Sequence, residues 1–110
     1  MGAAGEDAAL GWYADRGYQL LARNWRCASG EVDLIASRGD VLVFCEVKTR
    51  TDDTFGEPFE AVTLAKQARI RRAAAAWLRS ESRPRRAWGE MRFDVASVRG
   101  GAVDVLEAAF

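Results

Sequence analysis

Gly30-Glu31-Val32-Asp33-Leu34-Ile35-Ala36, then Ser37-Arg38-Gly39-Asp40, then Val41-Leu42-Val43-Phe44-Cys45-Glu46-Val47-Lys48 is the stretch that decides how this chain is read. Two β-prone runs flank a turn of small and polar residues, the pattern of a hairpin. Val41 to Cys45 is apolar at every position, as in a central strand covered on both faces. The same strand then runs directly into Glu46 and Lys48, charges that are costly to bury unless something pairs with them. A two-residue loop at Arg38-Gly39, or a four-residue loop at 37–40, pairs Asp33 with Phe44 and Glu31 with Glu46. Glu31, Asp33, Glu46 and Lys48 then share one face, with Asp33 and Glu46 as diagonal neighbours roughly 7–8 Å apart at the backbone. An odd-length loop would send Asp33 and Glu46 to opposite faces. Two carboxylates across such a gap can hold one hard cation, and a divalent ion relieves the repulsion among three acids. The same spacing also fits a hairpin edge with surface acids and a Lys48 ion pair, and spacing alone leaves both readings open.

Outward from the hairpin the elements alternate. A helix is expected over residues 3–16, with Ala9, Leu10, Tyr13 and Ala14 as its apolar stripe and Gly17 as its stop. A strand follows at 18–26, and Ala28-Ser29-Gly30 turns the chain into the hairpin. Residues 51–58 read as a loop. A long helix then ends near Arg79, with Val62, Ile70, Ala73, Ala74, Trp77 and Leu78 facing the core. Beyond a loop at Pro84, residues 91–95 form a strand, and Gly100-Gly101 turns it into a last strand at 103–106. The order αβββαββ predicts a single α/β domain over 1–110, with a mixed central β-sheet flanked by helices.

At 110 residues and 49% hydrophobic content the chain can build one compact core. No apolar run approaches the ~20 residues of a membrane helix, and the first residues lack a basic-then-apolar signal, so a cytoplasmic protein with no membrane partner is expected. Cys27 and Cys45 have neither disulfide-framework nor zinc spacing. There is no histidine. That excludes Ser-His and Cys-His nucleophiles and histidine-bound metals, so any hydrolysis is left to carboxylates, lysine, hydroxyls or an oxygen-bound hard metal ion. The net charge of zero divides unevenly: 11 acids against 6 bases in 1–65, then 10 bases against 3 acids in 66–99. A polyanion partner beside a metal site would explain this, and so would a solvated arginine-rich helix. Trp25, Trp77 and Trp88 are expected as core or partner-contact residues rather than as base-stacking platforms.

Together these residues resemble the GE(I/V)DLIA…FxEVKxR signature of the YraN-like family, small bacterial proteins regarded as presumed endonucleases and similar to archaeal Holliday-junction resolvases. Gly5-Glu6, Gly17-Tyr18 with Asn24-Trp25-Arg26, Phe55-Gly56-x-Pro58, Lys66-Gln67 and Arg92-Phe93-Asp94-Val95 match further family segments in order. The resemblance implies a restriction-endonuclease-like core of the PD-(D/E)XK superfamily and Mg²⁺-dependent cleavage of DNA, with Mn²⁺ as substitute. The DNA would be branched or Holliday-junction-like. Asp33 and Glu46 would be the metal-binding acids, with the Val47 carbonyl a further ligand. Lys48 would lie beside the attacking water or the scissile phosphate. Glu6 would approach from the first helix and Gln67 from the second. Glu31 is either a direct metal ligand or a more distant acid. Arg50, Lys66, Arg69, Arg72 and Arg79 are the candidate nucleic-acid contacts. No proline precedes Asp33, and Cys45 stands where the family has valine; a small apolar role in the core is expected for it. The rival readings are a non-catalytic nucleic-acid-binding module and a subunit of a larger DNA-processing complex. A weak homodimer is also expected, because a four-way junction presents two symmetric strands and one chain carries one Asp33-Glu46-Lys48 set. Trp12, Phe55 and Trp88 are its candidate contacts.

Overall fold

The computed structural model describes residues 2–50, 62–80 and 84–110. The 51–58 loop, with Phe55-Gly56-x-Pro58, lies outside them. Seven elements follow the expected order: α1 (Gly2–Asp15), β1 (Gln19–Cys27), β2 (Gly30–Arg38), β3 (Val41–Arg50), α2 (Leu64–Arg79), β4 (Glu90–Arg99) and β5 (Ala102–Leu106). The strands form one sheet in the order β1-β2-β3-β4-β5. Among the described residues only the β3–β4 pair is parallel, and α2 lies on the connection between those two strands. The protein is therefore a mixed α/β structure with a five-stranded mixed sheet and two helices. Among the described residues no helix is long and apolar enough to cross a membrane.

The helices cover opposite faces of the sheet. Ala9 and Tyr13 of α1 pack with Leu34, Ala36, Val43, Cys45, Ala96 and Val98. Ala73, Ala74 and Trp77 of α2 pack with Val32, Ile35, Leu42 and Phe44. On β3 the two sets alternate with period two, so the central strand is buried on both sides as its unbroken apolar run implies. Cys45 is buried in the α1-side core. Trp77 is buried, and Trp25 and Trp88 are half-buried against the α2-side core. Val62 is buried just outside α2. The helix starts instead at Thr63, an N-cap whose side chain accepts a hydrogen bond from the Lys66 N–H at 3.1 Å.

The alternation slips on β2. Val32 and Ile35 face α2, although Leu34 and Ala36 face α1. The same slip occurs on β1, where Ala22 and Trp25 both pack on the α2 side and Asn24 between them takes φ 53°. Asn is one of the few side chains that tolerate this left-handed region. The two irregularities lie side by side, since β1 and β2 pair Arg23 with Leu34 and Trp25 with Val32. Both strands therefore kink at Asn24 and Asp33.

Candidate metal and nucleic-acid site

The hairpin register differs by one step from the expected one. Arg38 pairs with Val41, Ile35 with Phe44 and Leu34 with Cys45, so the two-residue turn is Gly39-Asp40 rather than Arg38-Gly39. Gly39 carries φ 60°, and a primed turn requires glycine or a similarly permissive residue at that position. Asp33 therefore does not pair with Phe44. It lies one residue beyond the last β2–β3 pair, and the charge of Glu46 still acts on it.

Pairing of β2 with β3 stops at Leu34 and Cys45. β3 continues to Arg50 beside β4. Where the ladder ends, the Val47 N–H donates to Asp33 Oδ2 at 2.8 Å. The kink at Asp33 thus turns a strand residue into a side-chain cap on the next strand. An extended residue points its N–H and C=O to the same edge, so the Val47 carbonyl faces the same gap. Asp33 is pushed up to about 7, first by burial and then by the charge of Glu46, with Glu6 contributing less. Two carboxylates thus share one half-closed space.

Two ammonium groups stand over Glu46, whose side chain is only 5% exposed. Lys66 Nζ lies 2.8 Å and Lys48 Nζ 3.8 Å from Glu46 Oε2. Burial pushes the Lys48 amine down, and the neighbouring Lys66 charge adds to this. The hydrogen bond to Glu46 holds Lys66 up. The order of residues points Lys66 only toward DNA and gives no sign of its hold on Glu46. That ion pair spans 20 positions and depends on how α2 docks.

Other expected members lie farther from the carboxylate pair. Glu31 is diverted to Arg26, its partner across β1–β2, at 2.9 Å. It does not join Asp33 and Glu46 in a three-acid patch, because at this level β2 is paired with β1 and no longer with β3. Glu6 is buried but occupied: its Oε1 accepts from Arg23 Nε at 3.2 Å and from Asn24 Nδ2 at 2.9 Å. It supports the kinked β1 beside Asp33. Gly5 brings it there, since a Cβ at Gly5 would collide with Thr49 Oγ1. The Gln67 side-chain amide donates to the Val62 carbonyl at 3.2 Å and ties down the start of α2.

The basic candidates divide. Lys66 and Arg69 line a cleft of about 250 Å³ with Gly30, Glu31 and Ile70, and Lys66 links it to Glu46. Arg69, Arg72 and Arg79 are exposed on α2. Arg50 ends β3, half-buried. Arg71 instead packs its guanidinium over Phe93 and Phe110. Of the aromatic residues expected at a dimer contact, Trp12 carries Arg16 over its ring at 3.7 Å and Trp88 carries Arg86 at 4.5 Å. Phe55 lies outside the described residues.

Among the described residues no three acidic or cysteine side chains converge as a metal cage. The donors available to a cation would be two carboxylates and one backbone carbonyl. That fits magnesium, which binds one or two carboxylates and keeps waters or phosphate oxygens in its other positions, better than zinc or calcium. A pH-dependent effect on stability is expected. Because Asp33 is raised when folded, its contribution is complete below the ordinary carboxylate range near 4 and is lost as pH rises through about 7. If the pair holds Mg²⁺, the ion should stabilise the protein at pH 8 by ~2.7 kcal/mol at a hundredfold excess over Kd, and by less at pH 5. Thermal melts with and without Mg²⁺ across that range check this. Asp33→Asn should remove the pH trend, and an equal Mg²⁺ effect in that variant would refute it.

These features define an α/β protein with a paired-carboxylate, two-lysine site at the margin of a mixed sheet. The chain belongs to the uncharacterised protein family UPF0102, whose model matches residues 5–98. A UPF0102 protein of Rhodococcus opacus (strain B4) is 50% identical over 101 residues, covering 92% of this chain and 83% of the relative. One from Nocardia farcinica (strain IFM 10152) is 45% identical over 115 aligned positions, covering 100% and 88%. A relative from Moorella thermoacetica is 44% identical, covering 99% and 93%.

Proposed function

We propose that this protein is a magnesium-dependent endonuclease that hydrolyses phosphodiester bonds in DNA, with branched or otherwise structured DNA as its substrate class. The sheet and helices would then be a restriction-endonuclease-like core. The observation that carries the reading is the meeting of Asp33 and Glu46 where β2 leaves β3, with Lys48 beside them. Asp33, Glu46 and the Val47 carbonyl would hold the metal, which supplies an acidified water and neutralises charge on the phosphate. Lys48, half-buried and only loosely held by Glu46, places a compact positive charge at the scissile phosphate. Glu6 and Gln67 act as supports for β1 and α2 rather than as reacting groups.

Cleavage of linear, flapped and four-way DNA with Mg²⁺ or Mn²⁺ tests the reading, alongside metal titration by calorimetry. Metal-dependent cutting that disappears in Asp33→Asn and Glu46→Gln supports it. Tight DNA binding with no cutting under any metal would replace it with a binding module that keeps the fold.

The exposed α2 arginines should carry part of the DNA affinity. Replacing Arg69, Arg72 and Arg79 together by alanine should weaken binding to all sequences alike. The slope of log K against log[salt] should flatten by ~0.9 for each duplex phosphate no longer neutralised. An unchanged slope would mean that these side chains only solvate the helix.

A further inference from the structure

Lysine is scarce here in an informative way. Fourteen of the 16 basic residues are arginine, and the two lysines are Lys48 and Lys66, both beside Glu46. An arginine fork would grip a buried carboxylate in a planar two-point pair. A lysine is a single point charge on a flexible stem and lets go more readily. Glu46 is too deeply buried to stand unpaired. Some cation must therefore be present before any metal arrives, and Lys66 provides it at 2.8 Å.

We propose that Lys66 is an exchangeable counter-cation: it neutralises Glu46 in the metal-free protein, is displaced when a divalent ion binds there, and then serves a DNA phosphate. This rests on the metal-dependent reading given above. The placement of Lys66 suits an exchange. Its backbone is anchored in the first turn of α2 by the Thr63 cap, so only the side chain need move. Its stem already borders the cleft shared with Gly30, Glu31 and Arg69, which is open and lies beside the exposed basic face of α2. Metal and lysine cannot both occupy Glu46 Oε2 at contact distance without strong repulsion. Displacement of Lys66 therefore couples metal loading to the release of a positive charge where the polyanion arrives. Lys48, already at 3.8 Å, need not move.

Mn²⁺ calorimetry on the full chain tests this with Lys66→Met, Lys66→Arg and Lys48→Met. Lys66→Met should bind Mn²⁺ on the order of tenfold more tightly than the unmodified protein, since no ion pair has to be broken. Lys66→Arg should bind more weakly, and Lys48→Met should gain less than Lys66→Met. Equal gains from the two methionine variants would indicate a general charge effect and overturn the exchange. Unchanged or weaker Mn²⁺ affinity in Lys66→Met, with the unmodified protein still binding, overturns it while leaving the nuclease reading intact. No Mn²⁺ binding by either protein overturns both. If Lys66→Met does not fold, the unmodified protein decides. Acylation by a water-soluble ester, read by mass spectrometry, should label Lys66 several-fold faster with Mn²⁺ than without. An unchanged Lys66 rate overturns the proposal.

Discussion

Lys48→Ala is expected to lower the DNA cleavage rate by ~10²–10³-fold, the range seen when one preorganised group is removed from a developing oxyanion. The fold should survive. Lys48 is half-buried near the end of β3, and its approach to Glu46 is long, while Lys66 keeps that carboxylate paired. DNA affinity should fall by less than about tenfold, because the ammonium of Lys48 adds one charge to the several on α2. The separation of rate from affinity is the informative part. Single-turnover cleavage at saturating protein measures the first and equilibrium binding in Ca²⁺ the second. A variant that cuts within threefold of the unmodified rate would remove Lys48 from the reaction. A variant that loses rate and affinity in equal measure would make it a binding residue only.

Asp94→Ala should be the most destabilising substitution away from the site, at ~3–5 kcal/mol, the cost of leaving a buried charge without its partner. Asp94 is fully buried, yet its carboxylate is well bonded on both oxygens. Tyr13 donates to Oδ2 at 2.6 Å, Arg92 Nε donates to Oδ1 at 2.8 Å, and the Ala108 N–H donates to Oδ1 at 3.1 Å. Arg92 reaches further to the Tyr18 hydroxyl at 2.9 Å. Burial, with the Cys45 thiol and the Asp94 carboxylate close by, keeps the Tyr13 phenol firmly protonated and hence a donor. One carboxylate thus joins α1, β4 and the turn that follows β5. Its removal leaves a guanidinium, a phenol and a backbone N–H short of partners. Thermal unfolding should drop on the order of 15 °C, against a smaller loss of ~1 kcal/mol for Tyr13→Phe, which deletes a single donor. A loss under ~1 kcal/mol in Asp94→Ala would show that solvent or neighbouring groups rescue the network.

Much of the fold is legible in the sequence because its signals are short-range. The apolar run at 41–45 and the charges that follow it mark a central strand running into a polar site, and β3 is such a strand. The stripe through Ile70, Ala73, Ala74 and Trp77 marks the buried side of α2, and those four residues are its buried ones. Gly17 and Gly100-Gly101 fall at the ends and turns expected of them, each with positive φ. Boundaries are less legible. β4 extends through Arg99, well past Val95, because its far half pairs with β5. The Gly100-Gly101 turn and the alternation of Ala96-Ser97-Val98-Arg99 carry that hairpin in the sequence, but the expected strand stopped short of it.

The amino-acid order by itself determined which residues alternate, which run is apolar on both sides, and that histidine could take no part. These follow from side-chain period and composition, which need no knowledge of neighbours in space. It also offered Asp33 and Glu46 as a pair on one face, on the condition of an even turn and unbroken alternation. Only the tertiary structure decided the rest. The turn closed at Gly39-Asp40, so Ile35 rather than Asp33 pairs with Phe44 and the ladder ends before Asp33. The paired kinks at Asn24 and Asp33 ended strict alternation, sent Glu31 to Arg26, and freed Asp33 to cap Val47. The docking of α2 delivered Lys66 to Glu46. Each of these is a competition among several oppositely charged or hydrogen-bonding partners. Its winner is set by distances of a few ångströms between elements far apart in the chain, and packing of the two cores against the sheet fixes those distances.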